Sequence, residues 1–335
     1  MGFKKRLMKY DFSSLFLESS FGVIVIVLVF TIFMVIFKNG EFLSATNIHS
    51  ILRSSSLWVL IALSQIMVLV IGQMNLSMGA IGGLSAVVAG YLFQFTGFPI
   101  WVVVLFGLLV GIVCGFINGI IITRTGIDPF IVTLGTYSVF LGINYGLTHS
   151  TPFTKIPLVF ISLGTGRVLG ILPMMFFIML FIALLVDILF NHTIFGRQIL
   201  ATGGNEDAAI FSGINTKNII LKAHMLSGLF AGLAGVLYVA RLGTAHPLIG
   251  QNWLLMSFAI SVIGGTSMSG GKTSVIGTIF GGILMTLISN ALVLFRVDIF
   301  WEQSFLGMAL LFAVGMDRLR NVYAEKNIFK GGRLI

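Results

Sequence analysis

Charged residues are scarce in this chain of 335 residues, because Asp, Glu, Lys and Arg together make up only 9% of it. Soluble domains carry about a quarter. So few charged residues cannot cover the surface of a water-soluble protein of this size. No tract rich in Ser, Gln or Glu indicates disorder. The hydrophobic content of 57% and the mean hydropathy of +1.06 therefore indicate an all-α integral membrane protein.

The residues of common catalytic and metal sites are also few. The one cysteine, Cys114, lies in an apolar run, which excludes a disulfide framework and a CxxC metal site. The five histidines are expected in loops or at helix ends, and they form no HxxxH pair. Gly271-Lys272-Thr273 resembles the end of a phosphate loop, but its first glycine is misplaced. We expect no enzyme and no metal, cofactor or nucleic acid bound by this chain.

Apolar runs long enough to cross a bilayer, about 20 residues each, define the architecture. A basic start and an apolar run resemble a signal peptide, but Lys38-Asn39-Gly40 closes the run without a small-x-small cleavage site, so it reads as a retained first helix. About ten spans are predicted, and the eighth and tenth are short for a full crossing. They cover 20–37, 57–72, 79–97, 100–122, 129–147, 173–190, 219–240, 255–269, 275–294 and 304–316.

The net charge of +9 is better explained by membrane topology than by nucleic-acid binding. With the N-terminus inside, 14 of the 20 Lys and Arg fall on inner segments and 6 on outer ones. Cytoplasmic segments retain such an excess, so both termini are predicted inside. We expect a single transmembrane domain over 1–335, with an outer loop at 148–172 and a long inner segment at 192–218.

Glycines recur at every fourth position of the fourth span. Such a stripe lets two helix backbones approach closely in a bilayer, so we interpret it as helix packing. Its members are Gly107, Gly111, Gly115 and Gly119.

Two glycine-rich segments interrupt the apolar rhythm in comparable places of the two halves, at 72–79 and 264–272. Paired interruptions favour a transport pathway, with ordinary re-entrant turns as the alternative. Polar residues within apolar spans line such a pathway or bond to other helices. The candidate pathway residues are Gln65, Gln73, Asn75, Ser77, Asn118, Asn144 and Asn290. Asp187 is either a proton-relay carboxylate or a solvated helix cap.

The inner segment contains a predicted short helix. Asn205 is a good N-cap, Glu206 and Asp207 suit the helix dipole, and Gly213 can end the helix. Its apolar residues suit docking into a groove of a soluble partner, and a surface helix lying on the membrane is the alternative. The candidate segment comprises Gly204, Asn205, Glu206, Asp207, Ala208, Ala209, Phe211, Ser212 and Gly213.

Three motifs resemble a known family in order and spacing. GGNEDAAIFSGIN resembles the coupling-helix motif of the ribose-type branch of bacterial ABC importer permeases. GGTSMSGGK followed by TSVIGTIFGGILM resembles the signature after it, and GQMNLSMGAIGG is similar to the GG-hydrophobic-DLSVG segment. The departures are Gln73 for the second glycine, Asn75 for the aspartate and Thr273 where glycine is common.

The resemblance implies a type II importer-like bundle in the bacterial inner membrane that moves a sugar or sugar-like solute. It also implies three protein partners: a cytoplasmic ATPase that binds ATP and Mg and docks on 205–214, a second permease chain, and an extracytoplasmic solute-binding protein. Asn75–Gly79 and 264–271 would then be pathway elements. The rival hypothesis is a self-contained, ion-coupled transporter with Asp187 as its proton site.

Overall fold

The computed structural model describes residues 19–168 and 170–298 together with 301, 303–305, 307–308, 311 and 315. Most of the described chain is helical, which confirms the predicted all-α class. The helices are α1 Ser19–Phe42, α2 Ala45–Leu69, α3 Met78–Phe95, α4 Ile100–Thr125, α5 Pro129–Thr148, α6 Leu158–Thr165, α7 Met174–His192, α8 Ile194–Gly204, α9 Glu206–Phe211, α10 Thr216–Leu242, α11 Trp253–Ile263 and α12 Val275–Leu294. A two-stranded antiparallel hairpin, β1 Arg167–Val168 and β2 Leu172–Pro173, pairs Arg167 with Pro173.

Eight helices in the described part are long and apolar enough to span a membrane: α1 to α5, α7, α10 and α12. The predicted crossing at 255–269 is instead the helix α11 of 11 residues, about 16 Å long and half a bilayer deep. It ends where Gly264 packs against the backbone of Gly277 and Thr278. The predicted span at 304–316 and the basic termini lie outside the described residues, except for single positions.

Helix α2 begins at Ala45, twelve residues before the predicted start at 57. Ser44 caps it by accepting a hydrogen bond from the Asn47 backbone N–H at 3.3 Å. Its first half is polar but finds partners inside the protein: Nδ1 of His49 lies 2.9 Å from the carbonyl oxygen of Ile171. The hydropathy of the sequence therefore predicted a span only over the second half of α2.

Helix α10 lies at the centre of the bundle and packs against α2, α3 and α4. The four glycines of α4 lie on the face toward α10, where Gly111 meets the Gly228 backbone and Gly115 meets the His224 backbone. Small residues allow this approach where the hydrophobic effect does not drive helix association. Large apolar side chains such as Trp101 on α4 and Phe181 on α7 are exposed, as expected of a lipid-facing surface.

The outer loop predicted at 148–172 contains α6 and most of the hairpin. It is joined to the segment after α10 because Phe153 and Ala245 exchange backbone hydrogen bonds at 3.1 and 2.9 Å. Both predicted interruptions contain a non-helical segment, although Met78 and Gly79 of the first one belong to α3. The first, 70–77, separates α2 from α3, and the second, 264–274, separates α11 from α12.

Candidate functional site

The first interruption carries a buried hydrogen-bond network. Oδ1 of Asn75 accepts from the backbone N–H and the hydroxyl of Ser77, at 3.0 and 2.7 Å. Nδ2 of Asn118 on α4 donates to the Ser77 hydroxyl at 2.7 Å, and Asn75 donates to Ser227 on α10. Ser64 on α2 donates to the Ser227 carbonyl at 2.8 Å. All five side chains are fully buried, so the network joins four segments inside the bundle.

Gln73 lies in the same interruption, toward the predicted inner side, and forms a separate hydrogen bond to α10. Its Oε1 lies 2.9 Å from Nε2 of His224, so the imidazole N–H donates to the amide oxygen. His224 is fully buried in α10, one turn before Ser227, which corrects the expectation that the histidines lie in loops or at helix ends. Gln73 thus satisfies Nε2 of His224, whereas Nδ1 is buried without a hydrogen-bond partner in the structure.

Gln73 also lines a cavity of about 610 Å³ at the predicted inner end of the bundle. The turn between α4 and α5 contributes Arg124 and Asp128, and the other wall contains Glu206 and Lys217. Two cations and two carboxylates therefore surround a space that reaches from the first interruption to the start of α9.

The other candidate pathway residues lie elsewhere. Nδ2 of Asn144 on α5 donates to the Pro247 carbonyl at 2.9 Å, and Asn290 on α12 exchanges side-chain hydrogen bonds with Asn47 at 2.6 and 3.2 Å. Gln65 is fully buried in α2, and neither of its amide atoms has a partner in the structure. The structure thus joins Asn75, Ser77 and Asn118 in one network, pairs Gln73 separately with His224, and leaves Gln65, Asn144 and Asn290 outside that network.

The second interruption meets the first at a joint made of backbone, which we call the glycine junction: Val70, Gly203, Gly270 and Gly271. The Gly271 N–H donates to the Val70 carbonyl at 2.8 Å. Gly270 and Gly271 have φ of +83° and +77°, values that favour glycine. A Cβ atom on Gly203 would collide with the Val70 carbonyl. Helix α8 therefore touches both interruptions directly.

The segment after α8 forms the predicted short helix. Oδ1 of Asn205 caps α9 by accepting from the Ala208 N–H at 2.9 Å, and Gly213, with a φ of +81°, follows its end. Glu206 and Asp207 occupy the first turn and are exposed. Phe211 is 92% exposed and Ile210 52% exposed, whereas Ala209 is buried beneath them. A capped helix thus presents an apolar tip and an acidic start on the protein surface.

Asp187 lies near the end of α7, away from the network of the first interruption. Its Oδ1 accepts from Nδ2 of Asn191 at 2.9 Å, one turn further along the same exposed helix edge. Within the described residues, no three His, Cys, Asp or Glu side chains gather as a metal site would require. The buried polar side chains of the described residues are mainly amides and hydroxyls, together with the imidazoles of His49 and His224.

Comparison with known proteins gives one family and a consistent set of relatives. Residues 47–314 match the family described as "Branched-chain amino acid transport system / permease component". The D-allose transport system permease protein of Escherichia coli (strain K12) is 36% identical over 83% of this chain and 85% of its own length. The galactose/methyl galactoside import permease protein of the same organism is 36% identical over 91% and 95%.

A relative from another bacterium has the same identity to this chain. The ribose import permease protein of Bacillus subtilis (strain 168) is 36% identical to this chain, over 84% of the chain and 88% of its own length. No solved structure matches the chain.

Proposed function

This chain belongs to the permease family described as "Branched-chain amino acid transport system / permease component". Within that family, we propose that it moves a sugar or sugar-like solute. It is the permease subunit of an ABC importer and a multi-pass protein of the cytoplasmic membrane. Permease components are not enzymes themselves. This membership leaves the ion-coupled transporter without support.

The sugar class is carried by one observation: the relatives at 36% identity are named for D-allose, galactose or methyl galactoside, and ribose. These solutes share many hydroxyl groups and no charge. Amides and hydroxyls such as those of Gln73, Asn75 and Ser77 exchange hydrogen bonds with hydroxyl groups without requiring a counter-charge. Their place in an interruption of the bundle agrees with a role in the pathway.

The driving force is proposed to come from a separate cytoplasmic ATPase that binds ATP and Mg. The exposed tip of α9, Phe211 with Ile210, suits burial in a groove, and the acidic first turn suits a basic rim on that groove. Helix α8 precedes this tip and contacts both interruptions at the glycine junction, so a displacement of α9 has a short mechanical route to them. A second permease chain and an extracytoplasmic solute-binding protein complete the proposed importer.

The test is uptake of labelled sugars by the complete importer in proteoliposomes, with variants of α9. Removing the aromatic tip with Phe211→Ala should lower ATP-driven uptake about tenfold or more, because buried aromatic anchors dominate interface energies. Glu206→Lys should lower it as well, because the new charge opposes both the helix dipole and a basic groove. The matched control is Phe181→Ala, which removes an exposed phenyl ring from the lipid-facing side of α7.

One result would contradict the proposed docking site on α9, and another would contradict ATP-driven import itself. Normal uptake by the Phe211→Ala, Glu206→Lys double variant, with ATP still required, would move the coupling contact to another segment. Uptake without ATP that collapses with the membrane potential would replace the proposal by ion-coupled transport.

A further inference from the structure

Helix α8 lies along the predicted inner face of the bundle. It begins two residues after the end of α7, and its residue Gly203 meets Val70, which directly follows α2. Both α7 and α2 are long enough to span the membrane and are predicted to end on the inner side, so α8 connects two inner ends. A helix of 11 residues is about 16 Å long, which fits a course along the membrane surface.

The α7–α8 corner, residues 192–197, is tightly closed. The Thr193 hydroxyl donates to the Leu189 carbonyl at 2.6 Å and accepts from the Gly196 N–H at 2.9 Å. A Cβ atom on Gly196 would collide with the carbonyls of Leu189 and Phe190, so the first turn of α8 lies against the last turn of α7. The corner therefore stays at the level where α7 leaves the membrane and does not project into the cytoplasm.

The side chains of α8 separate into a buried face and an exposed face. The buried residues recur at every third position and pack on the bundle: Gly196, Ile199 and Thr202. On the other face Ile194 and Arg197, one turn apart, are exposed, and Ile194 exposes 68% of its surface. The free face of α8 thus combines a large apolar side chain with a cation.

The apolar part of this face continues the lipid-facing surface of α7. Phe181, Leu184 and Ile188 are exposed on α7 at intervals of about one turn. With 19 residues α7 is about 28 Å long, close to the roughly 30 Å of the hydrocarbon core. The end of α7 and Ile194 therefore lie at the inner edge of the hydrocarbon, where contact with acyl chains removes the Ile194 side chain from water.

Arg197 is the only charged residue of α8. No carboxylate neutralises it, because the ion pair among the described residues joins Lys38 to Glu41. The carboxylate near the end of α7, Asp187, accepts a hydrogen bond from Asn191 at 2.9 Å. An arginine in this position keeps its aliphatic part in apolar surroundings and extends its guanidinium to the level of the lipid headgroups.

We propose that the α7–α8 corner binds the headgroup of an anionic phospholipid of the cytoplasmic leaflet. The Arg197 guanidinium donates to the headgroup phosphate, and Ile194 packs against the acyl chain below it. Charge complementarity favours this occupant, because anionic lipids of the cytoplasmic leaflet attract basic residues at its surface. The inference depends neither on the identity of the transported solute nor on the docking of an ATPase to α9.

The direct test measures the thermal unfolding midpoint of the full-length protein in nanodiscs of phosphatidylcholine with an increasing share of phosphatidylglycerol. Phosphatidylglycerol should raise the midpoint of the wild type, and Arg197→Gln should weaken the apparent affinity for it roughly fivefold. Arg197→Lys keeps the charge and should retain most of the affinity. The matched control Lys217→Gln removes an exposed cation that shares its cavity with Asp128 and Glu206, so the affinity should not change. An equal rise of the midpoint in all four proteins would overturn the proposal.

A spin label tests the position of Ile194 in the bilayer without relying on affinity. In Ile194→Cys the label should collide more often with oxygen, which dissolves in acyl chains, than with a water-soluble nickel complex, as a label in Phe181→Cys on α7 should. A label in Phe211→Cys, on the exposed tip of α9, should show the reverse. The native Cys114 is buried.

Two results of the labelling experiment would contradict the lipid site. A label at position 194 with the collision pattern of position 211 would place this face in water. A label that is shielded only after the other importer subunits are added would assign the face to a protein partner.

Discussion

Asn75 and Ser227 are joined by a hydrogen bond of 2.9 Å, in which the amide Nδ2 donates to the hydroxyl. The bond runs from the irregular segment between α2 and α3 to the central helix α10, and both side chains are fully buried. The Ser64 hydroxyl lies 3.3 Å from the same Ser227 hydroxyl. Because a buried polar group without a partner is costly, this pair fixes the interruption against α10.

Replacing Asn75 tests that attachment. Asn75→Leu leaves the hydroxyls of Ser77 and Ser227 short of a partner, so we expect a loss of about 1–3 kcal/mol in stability and weaker uptake. Asn75→Asp is the matched control, since its carboxylate has the same shape, still accepts from Ser77 and can accept from the Ser227 hydroxyl. Unfolding midpoints in detergent and uptake kinetics measure the two effects. Equal behaviour of the Leu variant and the wild type would assign Asn75 no role in holding the interruption.

Two adjacent glycines of α8, Gly203 at the glycine junction and Gly204 beside it, provide a test variant and a matched control. Gly203→Ala places a methyl group against the Val70 carbonyl, whereas a Cβ atom on the adjacent Gly204 would meet its nearest atom, Cα of Gly271, at 4.0 Å. We therefore expect Gly203→Ala to reduce uptake per ATP hydrolysed or to prevent assembly, and Gly204→Ala to behave like the wild type. The ratio of uptake to ATP hydrolysis in proteoliposomes is the measurement. Two variants with the same ratio as the wild type would show that the close contact is dispensable.

The glycine stripe can be tested against a glycine that faces away from the protein. Gly111→Leu inserts a branched side chain where α4 and α10 meet backbone to backbone, so we expect lost expression or assembly. A Cβ atom on Gly142 of α5 would have no atom of another element within 4 Å, so Gly142→Leu should be tolerated. Size-exclusion profiles of the two variants compare assembly. Loss of both variants to the same extent would point to a general intolerance of leucine in these spans.

The sidedness of the membrane helices is testable with cysteine labels. Lys217 and Lys155 are both exposed, on the predicted inner and outer sides, and the native Cys114 is buried. In the single variants Lys155→Cys and Lys217→Cys, a membrane-impermeant maleimide added to intact cells should modify position 155 and not position 217. Modification of position 217 in sealed cells would invert the topology.

Local signals in the sequence predicted several elements well. The cap and stop residues of α9, Asn205 and Gly213, act within a few residues of each other, and the structure has that helix where they predict it. Both glycine-rich interruptions also break the helices as expected, except that Met78 and Gly79 already belong to α3. Signals of this kind are read from neighbouring residues, so tertiary contacts do not obscure them.

Features that depend on distant partners could not be predicted in this way. The polar start of α2 forms a helix because His49 and Asn47 find partners 122 and 243 residues away. His224 is buried because Gln73, 151 residues earlier, accepts its hydrogen bond. The roles of the pathway and docking residues stay predictions.

At the glycine junction, α8 meets the two interruptions through main-chain atoms. A side chain between two surfaces can change rotamer and absorb part of a displacement, but a backbone carbonyl against a glycine has no such freedom. The contact is therefore stiff. If α8 shifts as a rigid body by about an ångström, both interruptions must move by a similar distance, or the hydrogen bond from Gly271 to Val70 must break. Force applied at the short helix would then produce movement in two places at the same moment, without a relay of intermediate side chains.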